Sequence, residues 1–245
     1  MTNEDHIKYA VVTGAASGIG KGVSEILLSK GITVFALDKQ TLKIPNAICI
    51  MCDISSETDL SNALKCILGY TQKIDYLVLS AGTLCLNKRM LLEDMTMEEW
   101  SYVLNVNLTG TMLSLRTFIP LLKNNNGGSI VTYSSEQTLR PIPKSAPYLA
   151  SKAGIEALTK LAAVEYVSSK IRVNCIRAAA VDTNFLVSLV DSPEIRQKMR
   201  NDMDLRMPYG IISSYDMAIW TWNLLSESSG KITGQIITID SGILL

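Results

Sequence analysis

Short apolar runs and amphipathic segments alternate along this chain in one repeating order. Tyr9 to Thr13 (YAVVT) is a β-branched run with no polar alternation, the pattern of a strand covered on both faces. A helix follows over roughly Ile19 to Ser29, closed by Gly31, and Ile32 to Asp38 (ITVFALD) is a second strand. Ala47 to Cys52 (AICIMC) reads as a third buried strand, reached through a loop around Pro45 too short for a crossover helix. Glu57 to Gln72 reads as a helix and Ile74 to Ser80 (IDYLVLS) as the fourth strand. Thr96-Met-Glu-Glu99 is a capping-box signal, and it opens a long helix to about Leu122. Beyond a polar turn come a fifth strand, Ser129 to Ser135, a helix from Pro147 to Ser168 and a sixth strand, Lys170 to Arg177. Asp216 to Ser226 is a further helix, and Gly234 to Asp240 is the last strand. Strands alternating with helices predict an α/β protein, a parallel sheet with helices on both faces.

The helix from Pro147 to Ser168 is apolar almost all round, through Leu149, Ala153, Ile155, Leu158, Leu161, Ala162 and Val164. One face packs on the sheet and the other needs a cover, which predicts a homo-oligomer, a dimer or tetramer. Composition supplies ample core, at 47% hydrophobic and 19% charged residues. Lys plus Arg (23) balances Asp plus Glu (23), which leaves no basic field for nucleic acid and no polybasic membrane patch. The first residues, MTNEDHIKY, are polar and acidic, unlike a signal peptide, and no apolar run reaches membrane-spanning length. These features predict a cytoplasmic protein. With no linker, repeat or low-complexity run, residues 1–245 are expected to form one domain. Five cysteines at irregular spacing do not make a disulfide frame, and Cys49 and Cys52 read as two small core residues. The single histidine, His6, lies in the terminal segment, which excludes a multi-His metal site and a Ser-His-Asp arrangement in the body of the chain.

Two stretches carry candidate chemistry. The first is Gly14-Ala-Ala-Ser-Gly18-Ile-Gly20, between the first strand and its helix, with Asp38 at the end of the second strand, 18 positions beyond Gly20. Strand, glycine turn, helix, strand and acid make the Rossmann-like dinucleotide arrangement. Glycines let the backbone approach a pyrophosphate, and the helix N-terminus offers it free N–H groups. Asp38 is placed to accept hydrogen bonds from ribose hydroxyls, and its charge repels a 2′-phosphate, favouring NAD over NADP. The second stretch runs from Ser135 to Lys152. Tyr148 and Lys152 are four apart on a helix and point to one side. A neighbouring ammonium favours the phenolate, so the pair predicts a phenol that exchanges a proton nearer neutrality. Ser135 ends the preceding strand and can hydrogen-bond a carbonyl or alkoxide oxygen at the same place.

Thr13-Gly14-x-x-x-Gly18-x-Gly20 together with Tyr148-x-x-x-Lys152 resembles the short-chain dehydrogenase/reductase family, and the likeness spans nearly the whole chain. The resemblance implies a doubly wound parallel sheet of about seven strands in the order 3-2-1-4-5-6-7. It implies catalytic roles for Asn107, which stands in the family's NxNxxG pattern, for Ser135, thirteen positions before the tyrosine, and for Tyr148 and Lys152. It implies that NAD lies on Gly14, Ser17, Gly18, Ile19, Gly20, Asp38, Asp53, Ile54, Ala81, Gly82, Tyr148, Lys152, Val181 and Thr183. Asp53 would meet the adenine amine or, on its own residue type, be an N-cap or turn residue. Asn107 would hold a water in a proton chain that includes Lys152. No metal is implied. Residues 184–209 would be a substrate lid.

Two departures from the family pattern stand out. Ser80-Ala81-Gly82 replaces Asn-Ala-Gly, losing an amide that braces the strand, and Ala178-Ala179 replaces the usual Pro-Gly beside the nicotinamide. Arg140, Lys144 and Arg177 read as solvated charge or as partners of an acidic substrate. The expected reaction is hydride transfer between NAD(H) and a small alcohol or ketone. The alternative is a non-catalytic NAD-binding sensor or scaffold.

Overall fold

The computed structural model describes residues 7–183 and 192–245. Seven parallel strands form one sheet: β1 (Tyr9–Thr13), β2 (Thr33–Asp38), β3 (Ile48–Met51), β4 (Tyr76–Leu79), β5 (Gly128–Ser135), β6 (Ile171–Ala178) and, last in the chain, β9 (Ile236–Ile239). Their order is β3-β2-β1-β4-β5-β6-β9. This is the expected order, with the last strand numbered nine because two short strands precede it. Those are β7 (Val181–Asp182) and β8 (Ile212–Ser213), a separate parallel pair that the residue pattern does not reveal.

The helices are α1 (Gly18–Ser29), α2 (Glu57–Leu68), α3 (Met97–Leu104), α4 (Gly110–Asn124), α5 (Ala146–Glu165), α6 (Pro193–Arg206) and α7 (Ser214–Leu225). Alternate strand residues feed two cores. Ala10, Val12, Val34, Ala36 and Val78 pack on one face with Val23 and Leu27 of α1 and Met217 and Leu224 of α7. Val11, Phe35, Leu37, Leu77 and Leu79 pack on the other with Leu60 and Ile67 of α2 and Phe118 and Leu122 of α4. Covering both faces is why these strands read as unbroken apolar runs.

The strand order reverses between β1 and β4, where Thr13 pairs with Leu79. The chain therefore leaves the sheet at Gly14 and at Ser80 side by side. A crevice opens there at the carboxyl ends of the strands, the place where open α/β sheets hold ligands.

Four expectations are corrected. β3 is an edge strand, not a buried one, with Cys49 exposed and Met51 67% exposed. Its neighbour on one side is β2 alone, so its apolar run is half uncovered. Only Cys52 of the cysteine pair is a core residue. The long helix is broken, because a π-helical turn, Asn105–Thr109, separates α3 from α4. The capping box at Thr96 is half made. Thr96 accepts from the Glu99 amide, but the Glu99 carboxylate is buried and accepts from Leu86 N at 2.5 Å and Asn87 N at 3.1 Å. It ties the 86–87 loop to α3 instead of closing on its own helix.

Candidate active site

The glycine turn is a place where backbone meets backbone. Gly14 has φ +69°, and a Cβ there would lie 2.7 Å from Ala81 Cα. A Cβ on Gly20 would overlap the Gly14 carbonyl oxygen and approach Ser80 Oγ at 2.6 Å. Ser80 donates to Thr13 O at 2.5 Å, and Ala81 N donates to Thr13 Oγ1 at 3.4 Å. The serine therefore supplies the brace between β1 and β4 that the missing amide was expected to cost. At the head of α1, Ser17 makes no side-chain cap, and the first turn carries no acid. Its N–H groups face the crevice free of side-chain acceptors among the described residues, with Ile19 and Gly20 following in the first turn. That is a fit for an anion such as a pyrophosphate.

Asp38 closes the far side. Its Oδ2 accepts from Ala16 N and its Oδ1 from Gln40 N, each at 2.9 Å. Both carboxylate oxygens are oriented, and each keeps a lone pair for a further donor. Lys39 turns away, its ammonium 3.3 Å from the Tyr102 hydroxyl and 5.8 Å from that ring's centre. Asp53 takes the turn role: its Oδ1 accepts from Ser55 N at 2.8 Å and Ser55 Oγ at 2.6 Å, while Ser56 is the N-cap of α2. Ile54 is buried where a Cβ on Gly110 would meet it at 2.8 Å. Thr183 comes from the other half of the chain, yet a Cβ on Gly18 would touch its Cγ2 at 3.1 Å. β7, which holds Val181, delivers it there. Of the predicted lid, residues 184–191 lie outside the described residues. The rest includes α6, pinned to β7 by an ion pair between Arg200 and Asp182.

The four predicted catalytic residues are gathered beside this cradle. Tyr148 and Lys152 are buried in the first turns of α5, and Ser135 ends β5. Ser135 is hydrogen-bonded to the Tyr148 phenol, whereas Ser134 turns away to Glu156 Oε1 at 2.6 Å. Asn107 sits fully buried at the π-helical turn. Its Oδ1 accepts from Thr83 N at 2.7 Å, and its Nδ2 donates to Thr83 O at 2.9 Å and Ser151 Oγ at 3.0 Å. Both amide protons are thereby engaged, so the side chain clamps the loop after β4 onto α5. A Cβ on Gly82 would lie 3.2 Å from Asn107 Oδ1 and 3.7 Å from Lys152 Nζ. Glycine there lets the β4 loop press against both.

The electrostatics correct one expectation. Burial pushes the Tyr148 phenol well above its ordinary range; the Ser135 hydrogen bond and Arg89 oppose this, and the Glu136 charge adds to it. The phenol's net direction is upward, away from neutrality, even with Lys152 alongside. The Lys152 ammonium donates to Tyr133 O at 3.0 Å, lies 5.6 Å from the centre of the Tyr148 ring, and is itself pulled down to about 8 by burial.

Arg177 is neither solvated nor turned to a substrate. It forms a largely buried ion pair with Glu156 at 2.8 Å and donates to Thr138 and Thr238. Arg140 is exposed and donates to Ile243 O. The alanines that replace Pro-Gly let β6 run on. Ala178 pairs with both Ser135 and Ile239, and Ala179 N donates to Ile239 O at 3.1 Å. A proline at 178 could not donate to a strand ladder.

One residue of the site was not singled out from sequence. Glu136 follows Ser135, accepts from its hydroxyl at 2.8 Å, and has its carboxyl raised above the usual range by burial, against the pull of Ser135, two backbone amides and Arg206. The signal available was an acid next to a buried strand-end serine.

The family model described as enoyl-(acyl carrier protein) reductase matches residues 14–244. The chain is 29% identical to the 3-oxoacyl-(acyl-carrier-protein) reductase FabG of Thermotoga maritima, covering 97% of this chain and 98% of that protein. It is 31% identical to the NAD-dependent glycerol dehydrogenase of Listeria innocua, over 96% and 93%. The ligand-free aldohexose dehydrogenase of Thermoplasma acidophilum superposes with a TM-score of 0.90 at 26% identity, over 97% of this chain and 94% of that one.

Proposed function

The chain belongs to the short-chain dehydrogenase/reductase family, and from that premise we propose that it moves a hydride between NAD(H) and the carbinol or carbonyl carbon of a small alcohol or ketone. The observation that carries this reading is the convergence of Ser135, Tyr148, Lys152 and Asn107 on one side of a crevice whose other side is the glycine cradle. Gly14, Ser17, Gly18, Ile19 and Gly20 would hold the pyrophosphate, Asp38 the adenosine ribose, and Val181 and Thr183 the nicotinamide end. Asp53, Ile54, Ala81 and Gly82 line the remainder. Bound there, the dinucleotide supplies the hydride acceptor for oxidation and the donor for reduction. Asp38 favours NAD over NADP, since a carboxylate facing a 2′-phosphate repels it.

Tyr148 is the proton carrier. With its phenol raised by burial it is fully protonated at neutral pH, the state needed to give a proton to a nascent alkoxide. Ser135 hydrogen-bonds the same oxygen. Lys152, held on Tyr133 O, supplies positive charge behind the phenol and a donor for a ribose hydroxyl. Asn107 fixes Thr83 and α5 at the spacing this requires. The outer face of α5 and the turn after it leave Leu161 52%, Val164 74% and Val167 60% exposed, which supports assembly of a homo-oligomer.

The test is Tyr148→Phe assayed on a panel of secondary alcohols and ketones. NAD affinity should hold within about twofold, and turnover should fall by about 10²- to 10⁴-fold. Unchanged turnover would remove Tyr148 from the reaction. NAD binding without turnover of any substrate by the native protein would instead favour a non-catalytic sensor.

A further inference from the structure

Resting on that reading, we propose that Glu136 and Gln137 form an acceptor pair that recognises a hydroxyl on the carbon next to the reacting one, so that the substrates are vicinal diols and their α-hydroxy ketones. Ser135 has a single proton, and that proton is given to Glu136 Oε2 at 2.8 Å. To donate to a reacting oxygen, Ser135 must release the carboxylate. Glu136 is partly buried, and a carboxylate accepts but cannot donate, so releasing it leaves an acceptor short of a partner. A simple ketone or alcohol has only one oxygen to offer. A substrate with a second hydroxyl beside the first donates to Glu136 in place of Ser135, and the serine is freed in the same act.

Gln137 carries the second, independent observation. The residue is only 8% exposed, and its Oε1 is the buried side-chain acceptor that has no hydrogen-bond partner among the described residues. Such orphans in folded proteins call for a ligand or a water. Its backbone amide donates to Ser135 Oγ at 3.3 Å, which fixes it to the same loop turn. A carboxylate and an amide oxygen both ask for donors, and the hydroxyls of a short polyol provide them.

Charge argues for a neutral donor over an ammonium. Arg206, at the end of α6, opposes the rise that burial imposes on the Glu136 carboxyl, and Arg89 opposes the rise of the Tyr148 phenol. Arg89 is held there by Pro143 O and Lys144 O, both at 3.0 Å. Two guanidiniums offset one carboxylate, so no net negative charge remains to select a cation. The recognised hydroxyl makes and breaks no covalent bond.

The experiment compares cyclohexanol with cis- and trans-1,2-cyclohexanediol, using the full chain with NAD. The native protein should oxidise the better diol with kcat/KM at least ~50-fold above cyclohexanol, as expected where a site's polar groups would otherwise be left unpaired. In Glu136→Ala and in Gln137→Leu that ratio should fall below ~10. Binding gives a readout without turnover: with NADH saturating, calorimetric titration should show the diol binding the native protein at least ~10-fold more tightly than cyclohexanol, with the difference lost in Glu136→Ala. Equal kcat/KM for diol and cyclohexanol in the native protein, or a ratio unmoved in both variants, overturns the proposal and leaves hydride transfer standing. Diol-selective binding without turnover of any panel member overturns the hydride-transfer reading and leaves the recognition standing. Binding that ignores the second hydroxyl, with no turnover, overturns both.

Discussion

The two walls of the crevice are built from different material. The cradle between β1 and β4 is backbone against backbone: Gly14 on Ala81, Gly20 on the Gly14 carbonyl, with Ser80 and Thr13 as the stitches. The wall after Ser135 is side chain against side chain. There Ser135 donates to Glu136 and is hydrogen-bonded to Tyr148, while Gln137 Oε1 is left without a partner among the described residues. A backbone wall has one solution, because any Cβ intrudes. A side-chain wall can be rewritten residue by residue without disturbing the sheet. The first is therefore the part that unlike substrates can share, and the second is where specificity can differ.

The largest effect should come from breaking the backbone wall. In Gly20→Ala the new methyl cannot share space with the Gly14 carbonyl, and Ser80 Oγ crowds it from 2.6 Å. We expect NAD binding to vanish in calorimetric titration and stability to fall by about 3 kcal/mol, or roughly 6 to 12 °C in melting temperature. A variant that binds NAD normally would show that the turn relaxes and that the wall is less rigid than its contacts imply.

Next in size is Ser135→Ala, on the side-chain wall. It removes the donor to the reacting oxygen, and turnover should fall by about 10²- to 10³-fold with NAD affinity unchanged. Because the same substitution frees Glu136, the pH dependence of the residual rate should move toward that of a carboxyl without its serine donor. Ser135 opposes the rise that burial imposes on Glu136, so without it the carboxyl titrates at higher pH. A profile that does not move would uncouple Glu136 from the site.

Asp38 should give a smaller effect, since the proposed binding mode sets it at the adenosine end, far from the reacting carbon. Asp38→Ser removes oriented acceptors and the charge that repels a 2′-phosphate. NAD affinity should drop by about 10- to 50-fold while the preference over NADP narrows. Tighter NAD binding in the variant would contradict the role given to the carboxylate.

The same contrast explains what the residues revealed beforehand. Strands covered on both faces announce themselves as apolar runs, and the glycine turn announces itself because few residues besides glycine survive there. Tyr148 and Lys152 were legible through their spacing, Asn107 and Ser135 through the resemblance to the family's motifs, and the fold brings the four together. What was hidden depends on partners distant in the chain. Glu99 leaves its own helix to hold the 86–87 loop. Arg177 finds Glu156 on α5. β3 has an apolar run but only one neighbour. The π-helical turn is a shift of backbone hydrogen bonding that no side-chain pattern records. Glu136 stayed hidden because an acid in a loop reads as solvated until burial is known.

The smallest expected effect, and the one most particular to this site, concerns Lys152 and stability. Its ammonium is buried, with Tyr133 O as acceptor, and its proton affinity is lowered from 10.5 to about 8. The folded state thus holds this proton less tightly than the unfolded chain. Below about pH 8 both states carry the charge, and the folded protein bears the full cost of burying it. Between about 8 and 10.5 the folded state releases the proton while the unfolded chain keeps it, so this group's contribution to stability rises with pH. Above that window the cost is gone. Raised thiols at Cys52 and Cys175 act in the opposite direction over an overlapping range, so the native protein's own curve does not isolate the lysine. The difference between native and Lys152→Met does, because those thiols are common to both. Melting measured across pH should show the variant more stable by about 1 to 2 kcal/mol near pH 7, with the gap closing as pH passes through 8 toward 10.5. A constant gap would mean that the ammonium is solvated through the crevice. In that case Lys152 belongs with the adaptable side-chain wall and not with the fixed frame behind it.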